Sequence, residues 1–352
     1  MRLFLRSAPG LGRQCGQFGH RAYSSASSSP KASSSPSSSI LSAMEAIKAH
    51  PPKIIPDYLS PMPSHLLSTT LTDLLSPSTQ SSSSPTIASP PTPLPQGHHL
   101  VYFPIQLAPS QLIPDGADPD HSPGSPFTRR VWAGGEVTFS KTWRDMRLDA
   151  RPAVCREKVE DVSLRGRDGE EKVFVDVWRR YGVGHEVEQR REWDIEERRT
   201  LVFMREEEGS SPSPARLIKY PHPSSHSVAL TPSPTHLFHF SALSFNAHSI
   251  HIDPLYAREV DGHRALLVHG PLTLALMLRV LNDHIGPSAC VRRFTYRNYA
   301  PLYVDEQMSI NLRRVSREDG VEGRWDVWIE GPEGGMAVKG NADVIPLEIE
   351  LA

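Results

Sequence analysis

The chain has 352 residues, 38% hydrophobic and 22% charged, with a formal net charge of −2 at pH 7. That balance is typical of a soluble globular protein, and its near-neutrality gives no electrostatic basis for binding nucleic acid. Cys15, Cys155 and Cys290 are too widely spaced for a disulfide framework or a paired-cysteine metal knuckle, which suits a reducing compartment; no run approaches the ~20 apolar residues needed to span a bilayer.

Residues 1–44 contain Arg2, Arg6, Arg13, Arg21 and Lys31 but no Asp or Glu, with Leu3, Phe4, Leu5 and Leu11 interleaved. A basic, serine-rich, acid-free start without an unbroken apolar core is the composition of a mitochondrial transit peptide. Arg21-Ala22-Tyr23-Ser24 resembles a matrix-peptidase cleavage site, so the expected location is the mitochondrial matrix. The alternative is a disordered tail with chance arginines. Residues 24–40 are mostly Ser and Pro and bury too little apolar surface to offset their ordering entropy. Residues 1–45 are therefore expected to be transit peptide and tail.

Leu66, Leu67, Leu71, Leu74 and Leu75 recur at helical spacing. A Ser/Pro tract from Ser76 to Pro95 reads as a flexible insert, and His99 to Leu107 as a strand. A third tract, Gly209 to Pro234, predicts a linker over 209–234 between an N-terminal unit, 46–208, and a C-terminal unit, 235–352. The two units carry a faint repeat. Ser163 to Gly169 leads into Val173 to Trp178, and Val315 to Gly320 leads into Trp325 to Ile329; both read as strand, Asp-Gly turn, strand. Convergent hairpins would look the same.

In the second unit, His236 to Phe240 reads as a strand. Pro271 to Leu281 reads as a helix with so little polar face that other structure must wrap it. Strand-like runs follow at Val291 to Tyr299, Met308 to Val315, Trp325 to Glu330 and Met336 to Ile345. One enclosed helix followed by antiparallel strands predicts an α+β fold.

The chemistry concentrates in Phe240-Ser241-Ala242-Leu243-Ser244-Phe245-Asn246-Ala247-His248-Ser249-Ile250-His251-Ile252-Asp253 and in Leu267-Val268-His269-Gly270-Pro271. The first segment resembles a variant of the hydratase motif of the MaoC-like hot-dog family, Gly-Asp-x-Asn-Pro-(aliphatic)-His-x-Asp; the second resembles that family's His-Gly segment opening the central helix. Ser-Ala-Leu-Ser-Phe-Asn-x-His-x-Ile-His-x-Asp is similar to the mitochondrial 3-hydroxyacyl-thioester dehydratase and bacterial mesaconyl-CoA hydratase branches. His98 to Phe103, Asp115-Gly116 and Pro126 to Gly135 resemble the amino-terminal half of the same two-unit proteins. The resemblance implies a double hot-dog and no cofactor; the first unit lacks an Asn/Asp-x4-His motif of its own in the matching place and reads as a non-catalytic unit walling an acyl tunnel. The resemblance also implies reversible dehydration of a (3R)-3-hydroxyacyl thioester to a trans-2-enoyl thioester in mitochondrial type II fatty acid synthesis. The substrate would be an acyl-CoA or acyl-ACP, with an acyl carrier protein as a candidate partner; a homodimer is left open.

By this resemblance His251 takes the place of the catalytic histidine, and an imidazole suits reversible proton transfer. Asn246 stands where the broader family has an aspartate. An amide is no base at neutral pH but can donate to and accept from a water or hydroxyl, so a single-base mechanism on His251 is expected, with Asn246 positioning the hydroxyl. A disabled site is the alternative. His248 is expected to support the loop. Asp253 would either orient an imidazole or tie the loop to backbone N–H groups before Pro254. His248, His251 and Asp253 lack a fourth ligand, so no metal is expected.

Pro271, without an N–H, suits a first helical turn and leaves Gly270 at the helix mouth. There the Gly270 N–H and the positive helix end can meet a thioester oxygen; an ordinary Gly/Pro junction is the alternative. His269 reads as a structural neighbour and Trp132 as a core or tunnel-lining residue. Arg129, Arg130, Arg292, Arg293 and Arg297 are the available partners for a carrier or coenzyme phosphate. Two further readings stay open: a mesaconyl/itaconyl-CoA-type hydratase, marked by a basic residue at the acyl end of the tunnel, and a catalytically inactive acyl-thioester-binding or scaffold protein.

Overall fold

The computed structural model describes residues 38–76, 87, 91–167, 169–188, 190–205, 217–315 and 323–347. The transit-peptide expectation over 1–37, residues 77–86 and 88–90 of the Ser/Pro insert, the start of the linker and the 316–322 turn lie outside the described residues.

Helix α1 (Ser38–Ala49) buries Ile40 and Ile47; residues 38–45, expected to belong to the tail, are thus helical. Strand β1 (Lys53–Tyr58) precedes α2 (Pro61–Leu75), whose Leu67, Leu71 and Leu74 are buried at the spacing read from the sequence. The strand expected over 99–107 does not form. His98–Val101 is instead one turn of 3-10 helix with all four residues buried. Phe103 takes φ 55°, and its N–H donates to Asp57 Oδ2 at 2.7 Å while the Tyr102 hydroxyl donates to the Ser60 carbonyl at 2.5 Å. Leu100 to Phe103 is an unbroken apolar run, but these contacts with β1 and the β1–α2 connection, rather than a neighbouring strand, satisfy the segment.

Strands β2 (Arg129–Phe139), β3 (Pro152–Arg165), β4 (Lys172–Val183) and β5 (Ile195–Met204) complete the first half. Strand β6 (His226–Leu230) and helix α3 (Pro234–Ser244) follow. Both begin inside the expected linker, which is therefore shorter, because β6 pairs along β8 with His226 opposite Leu312. Helix α3 also replaces the strand expected at His236 to Phe240. Ser233 caps it, its Oγ accepting from the His236 N–H, with Pro234 in the first turn; Leu237 and Phe240, three apart, face the core.

After α4 (Pro254–Glu259) comes α5 (Gly270–Ile285), buried continuously from Leu272 to Leu278 and again at Val280 and Leu281. Strands β7 (Ala289–Asn298), β8 (Met308–Val315), β9 (Gly323–Glu330) and β10 (Met336–Pro346) lie where the sequence places them.

The ten strands form one antiparallel sheet in the order β1-β3-β4-β5-β2-β7-β10-β9-β8-β6. Each half contributes five, and β2 joins β7 from Gly134 opposite Arg297 to Thr138 opposite Arg293. Leu67, Leu71 and Leu74 of α2 share one apolar core with α5 and the inner faces of both halves. This is the double hot-dog: a continuous sheet curled around buried helices. No described helix is long and apolar enough to cross a membrane.

Candidate active site

The motif loop is built from local caps. Phe245, at φ 53°, ends α3, and the next residue turns the chain: Asn246 Oδ1 accepts the His248 N–H at 3.0 Å, an Asx turn. One 3-10 turn, Ser249–His251, presents the histidine. Asp253 Oδ1 then accepts the N–H groups of Leu255 and Tyr256 at 2.9 and 3.1 Å, capping α4. Asp253 is exposed, and its carboxylate serves the backbone rather than an imidazole.

His251 is buried, and its Nδ1 lies 2.8 Å from the Leu267 carbonyl. A carbonyl only accepts, so Nδ1 carries the hydrogen and Nε2 is left with its lone pair. The ring stacks on His269 with centroids 3.7 Å apart and stands edge-on to His248 at 5.5 Å. Burial, then the fields of His269 and His248, hold His251 well below the ordinary histidine pKa. It is a neutral base at neutral pH. His269 is fully buried, bonds Ser241 Oγ through Nε2 at 2.8 Å, and is pushed down to about 3 by burial and then by His248.

Gly270 opens α5, so its N–H has no acceptor within the helix. Trp132 of β2 packs directly over it: a Cβ at 270 would stand 2.7 Å from Trp132 Cγ. The indole is itself held, its Nε1 donating to the Tyr296 hydroxyl at 2.8 Å. His251, His248, Asn246, Gly270 and Trp132 line one cavity of about 1000 Å³, large enough for an extended ligand.

The five arginines separate. Arg129 donates to the Asp261 carbonyl at 2.8 Å, Arg292 to the Phe139 carbonyl, and Arg293 to Glu136 at 2.7 Å; none of these three lines the cavity, whereas Arg130 and Arg297 do. Arg179 and Arg199, not singled out from the sequence, line it too. They are paired with Glu157 at 3.1 Å and Glu197 at 2.8 Å. Asp118, His121 and Glu157 bring ligand-type atoms within 4.8 Å of one another. Lys53 and Arg179 already neutralise those carboxylates, each at 3.1 Å, so a cation would have to displace both.

Sequence reasoning missed Asp115 as a site residue. It is buried, and its Oδ2 lies 3.4 Å from His248 Nε2. Its carbonyl accepts the Ser249 N–H at 2.8 Å. Gly116, at φ +82°, is pressed so closely on this loop that a Cβ would fall 2.1 Å from the Ala247 carbonyl oxygen. The signals were the Asp-Gly pair, which marks a turn without saying what the turn touches, and its resemblance to the family's amino-terminal half, which assigned it no role.

The fold is that of the MaoC-like hot-dog hydratases and dehydratases. A MaoC-like dehydratase from Phytophthora capsici superposes with TM-score 0.57 at 15% identity, over 88% of this chain and 99% of its own. Another solved MaoC-like dehydratase gives 0.58 at 12% identity, over 87% of this chain and 100% of its own. Within that class the chain belongs to the hydroxyacyl-thioester dehydratase type 2 family, whose profile matches residues 97–304. It is 32% identical over 256 residues to Mesaconyl-C(4)-CoA hydratase of Chloroflexus aurantiacus, covering 72% of this chain and 84% of the relative. It is 28% identical over 280 residues to the mitochondrial hydroxyacyl-thioester dehydratase type 2 of Schizosaccharomyces pombe, covering 73% and 88%. By this membership the chain is a hydro-lyase.

Proposed function

We propose that the chain interconverts a (3R)-3-hydroxyacyl thioester and the trans-2-enoyl thioester, carried on CoA or an acyl carrier protein, in type II fatty acid synthesis in the mitochondrial matrix. The observation that carries this is one shared cavity: the neutral imidazole of His251, oriented by the Leu267 carbonyl, and Gly270 at the mouth of α5 both line it. In the dehydration direction His251 Nε2 takes the C2 proton and negative charge moves onto the thioester oxygen. The Gly270 N–H and the positive helix end meet that oxygen, a contribution typically of about 3 to 4 kcal/mol in the transition state. The C3–O bond then breaks and the hydroxyl leaves, with a proton, as water. Asn246 has given its Oδ1 to the His248 N–H, so its Nδ2 is the atom that positions the hydroxyl. The first half serves as the wall that brings Trp132 onto Gly270. The basic, acid-free composition of residues 1–44 and the mitochondrial relatives support the location.

Purified protein incubated with crotonyl-CoA is expected to remove the enoyl absorbance, and His251→Ala to slow this by about 100-fold or more. Activity surviving in His251→Ala would reject the base; wild-type protein silent on both CoA and acyl-carrier-protein substrates would favour the scaffold reading.

A second reading has its own observation. Arg130 and Arg297 line the cavity, so a substrate carrying a further carboxylate has cationic partners there, as a mesaconyl-type hydratase would require. Rates on mesaconyl-CoA and crotonyl-CoA compared side by side decide between the two.

A further inference from the structure

Residue 246, an asparagine where the broader family has an aspartate, offers no carboxylate, and its acceptor oxygen is spent on the His248 N–H. The hydroxyl still needs a proton to leave as water. A carboxylate reaches the loop from the other half of the chain: Asp115 Oδ2 lies 3.4 Å from His248 Nε2, with both residues 6% exposed. Backbone contacts hold this pair on either side, through the Asp115 carbonyl to the Ser249 N–H at 2.8 Å and through Gly116 against the Ala247 carbonyl.

His248 lines the cavity and stands edge-on to His251 with ring centroids 5.5 Å apart. The two imidazoles are oriented by different groups. The neutral carbonyl of Leu267 leaves His251 a base, whereas a carboxylate facing Nε2 fixes that N–H and compensates a positive ring. No described residue hydrogen-bonds His248 Nδ1. Burial alone would raise the Asp115 carboxyl, but the hydrogen bond and charge of His248, helped by Arg130, outweigh it and hold the carboxyl below its ordinary range. The other titratable groups around the pair are His251, His263, His269, Asp261 and Arg129.

We propose that His248, oriented by Asp115, is a second catalytic residue that hydrogen-bonds the C3 hydroxyl and protonates it as it leaves, while His251 takes the C2 proton. This rests on the dehydratase reading above. In dehydration the C2–H bond breaks and its proton goes to His251 Nε2; the C–H electrons form the C2–C3 double bond; the C3–O electrons leave with oxygen, which takes a proton from His248 and departs as water. Proton exchange with water then unloads His251 and reloads His248. Hydration runs these steps backwards. Asp115 is a positioning residue.

The test is steady-state kinetics of the full chain on (R)-3-hydroxybutyryl-CoA and crotonyl-CoA, with folding checked by thermal unfolding. His248→Gln is expected to lower kcat about 100-fold with KM within about threefold. Asp115→Asn, which keeps the shape and removes the charge, is expected to lower kcat about 10-fold with KM within about threefold, a split that a merely structural role would not give. His248→Gln with near wild-type kcat overturns the proposal, and so does Asp115→Asn with near wild-type kcat or with its loss carried by KM; Asp115→Asn decides where His248→Gln does not fold. Wild-type protein silent in both directions overturns the reaction itself together with this proposal; an active wild type giving any of the other results overturns the proposal alone.

Discussion

Gly270 is fixed by what leans on it. Trp132 comes within a distance that a single methyl group would violate, with Cγ at 2.7 Å and Cβ at 2.9 Å from a Cβ placed there. Gly270→Ala is therefore expected to cost about 1–3 kcal/mol through overpacking and to lower kcat by shifting the α5 mouth. In the double variant with Trp132→Ala the two stability losses should sum to less than their separate values, a non-additivity that denaturant unfolding can read as a double-mutant cycle. His251, Asn246 and Gly270 were legible as candidates because two short motifs singled them out, and the fold brings all three to one cavity. Asp115 was not, because a carboxylate's role depends on what the fold places 3.4 Å away, and no local pattern encodes that.

Among the elements, legibility followed burial. Helix α5 and strands β7 to β10 have side chains committed to one interior, so their apolar pattern carries their geometry. Helix α3 was misread because Leu237, Phe238 and Phe240 make a short aromatic-rich run of the kind found in strands. Phe238 is nonetheless 63% exposed while Leu237 and Phe240 are buried, and the decisive signal was the cap, Ser233 before Pro234. Ser233→Ala should cost about 1 kcal/mol, seen as a lower denaturant midpoint. The loop facing α3's far end is less forgiving. Gly116→Ala must accommodate both φ +82° and a Cβ 2.1 Å from the Ala247 oxygen, so a loss above about 2 kcal/mol is expected, together with loss of turnover, in a residue outside the motif.

The whole molecule encloses several neutral histidines. Burial pushes His98 and His269 down to about 3, His99 to about 4 and His251 well below its ordinary value of 6.5. The unfolded chain binds protons at these positions from about pH 6.5 downward while the folded chain does not. Their stabilising effect is therefore complete above that pH and is lost progressively as pH falls toward 3, by about 1 kcal/mol per pH unit for each ring. Chemical denaturation at pH 7, 6 and 5 should show stability dropping over that window; a flat profile would contradict the buried neutral rings. The continuous sheet has a separate corollary. The Asp115 carbonyl and Gly116 brace the histidine loop from across the β2–β7 seam. Two polypeptides made by severing the backbone between residues 206 and 216 would each be inert, and turnover would return only on mixing, as fragment complementation.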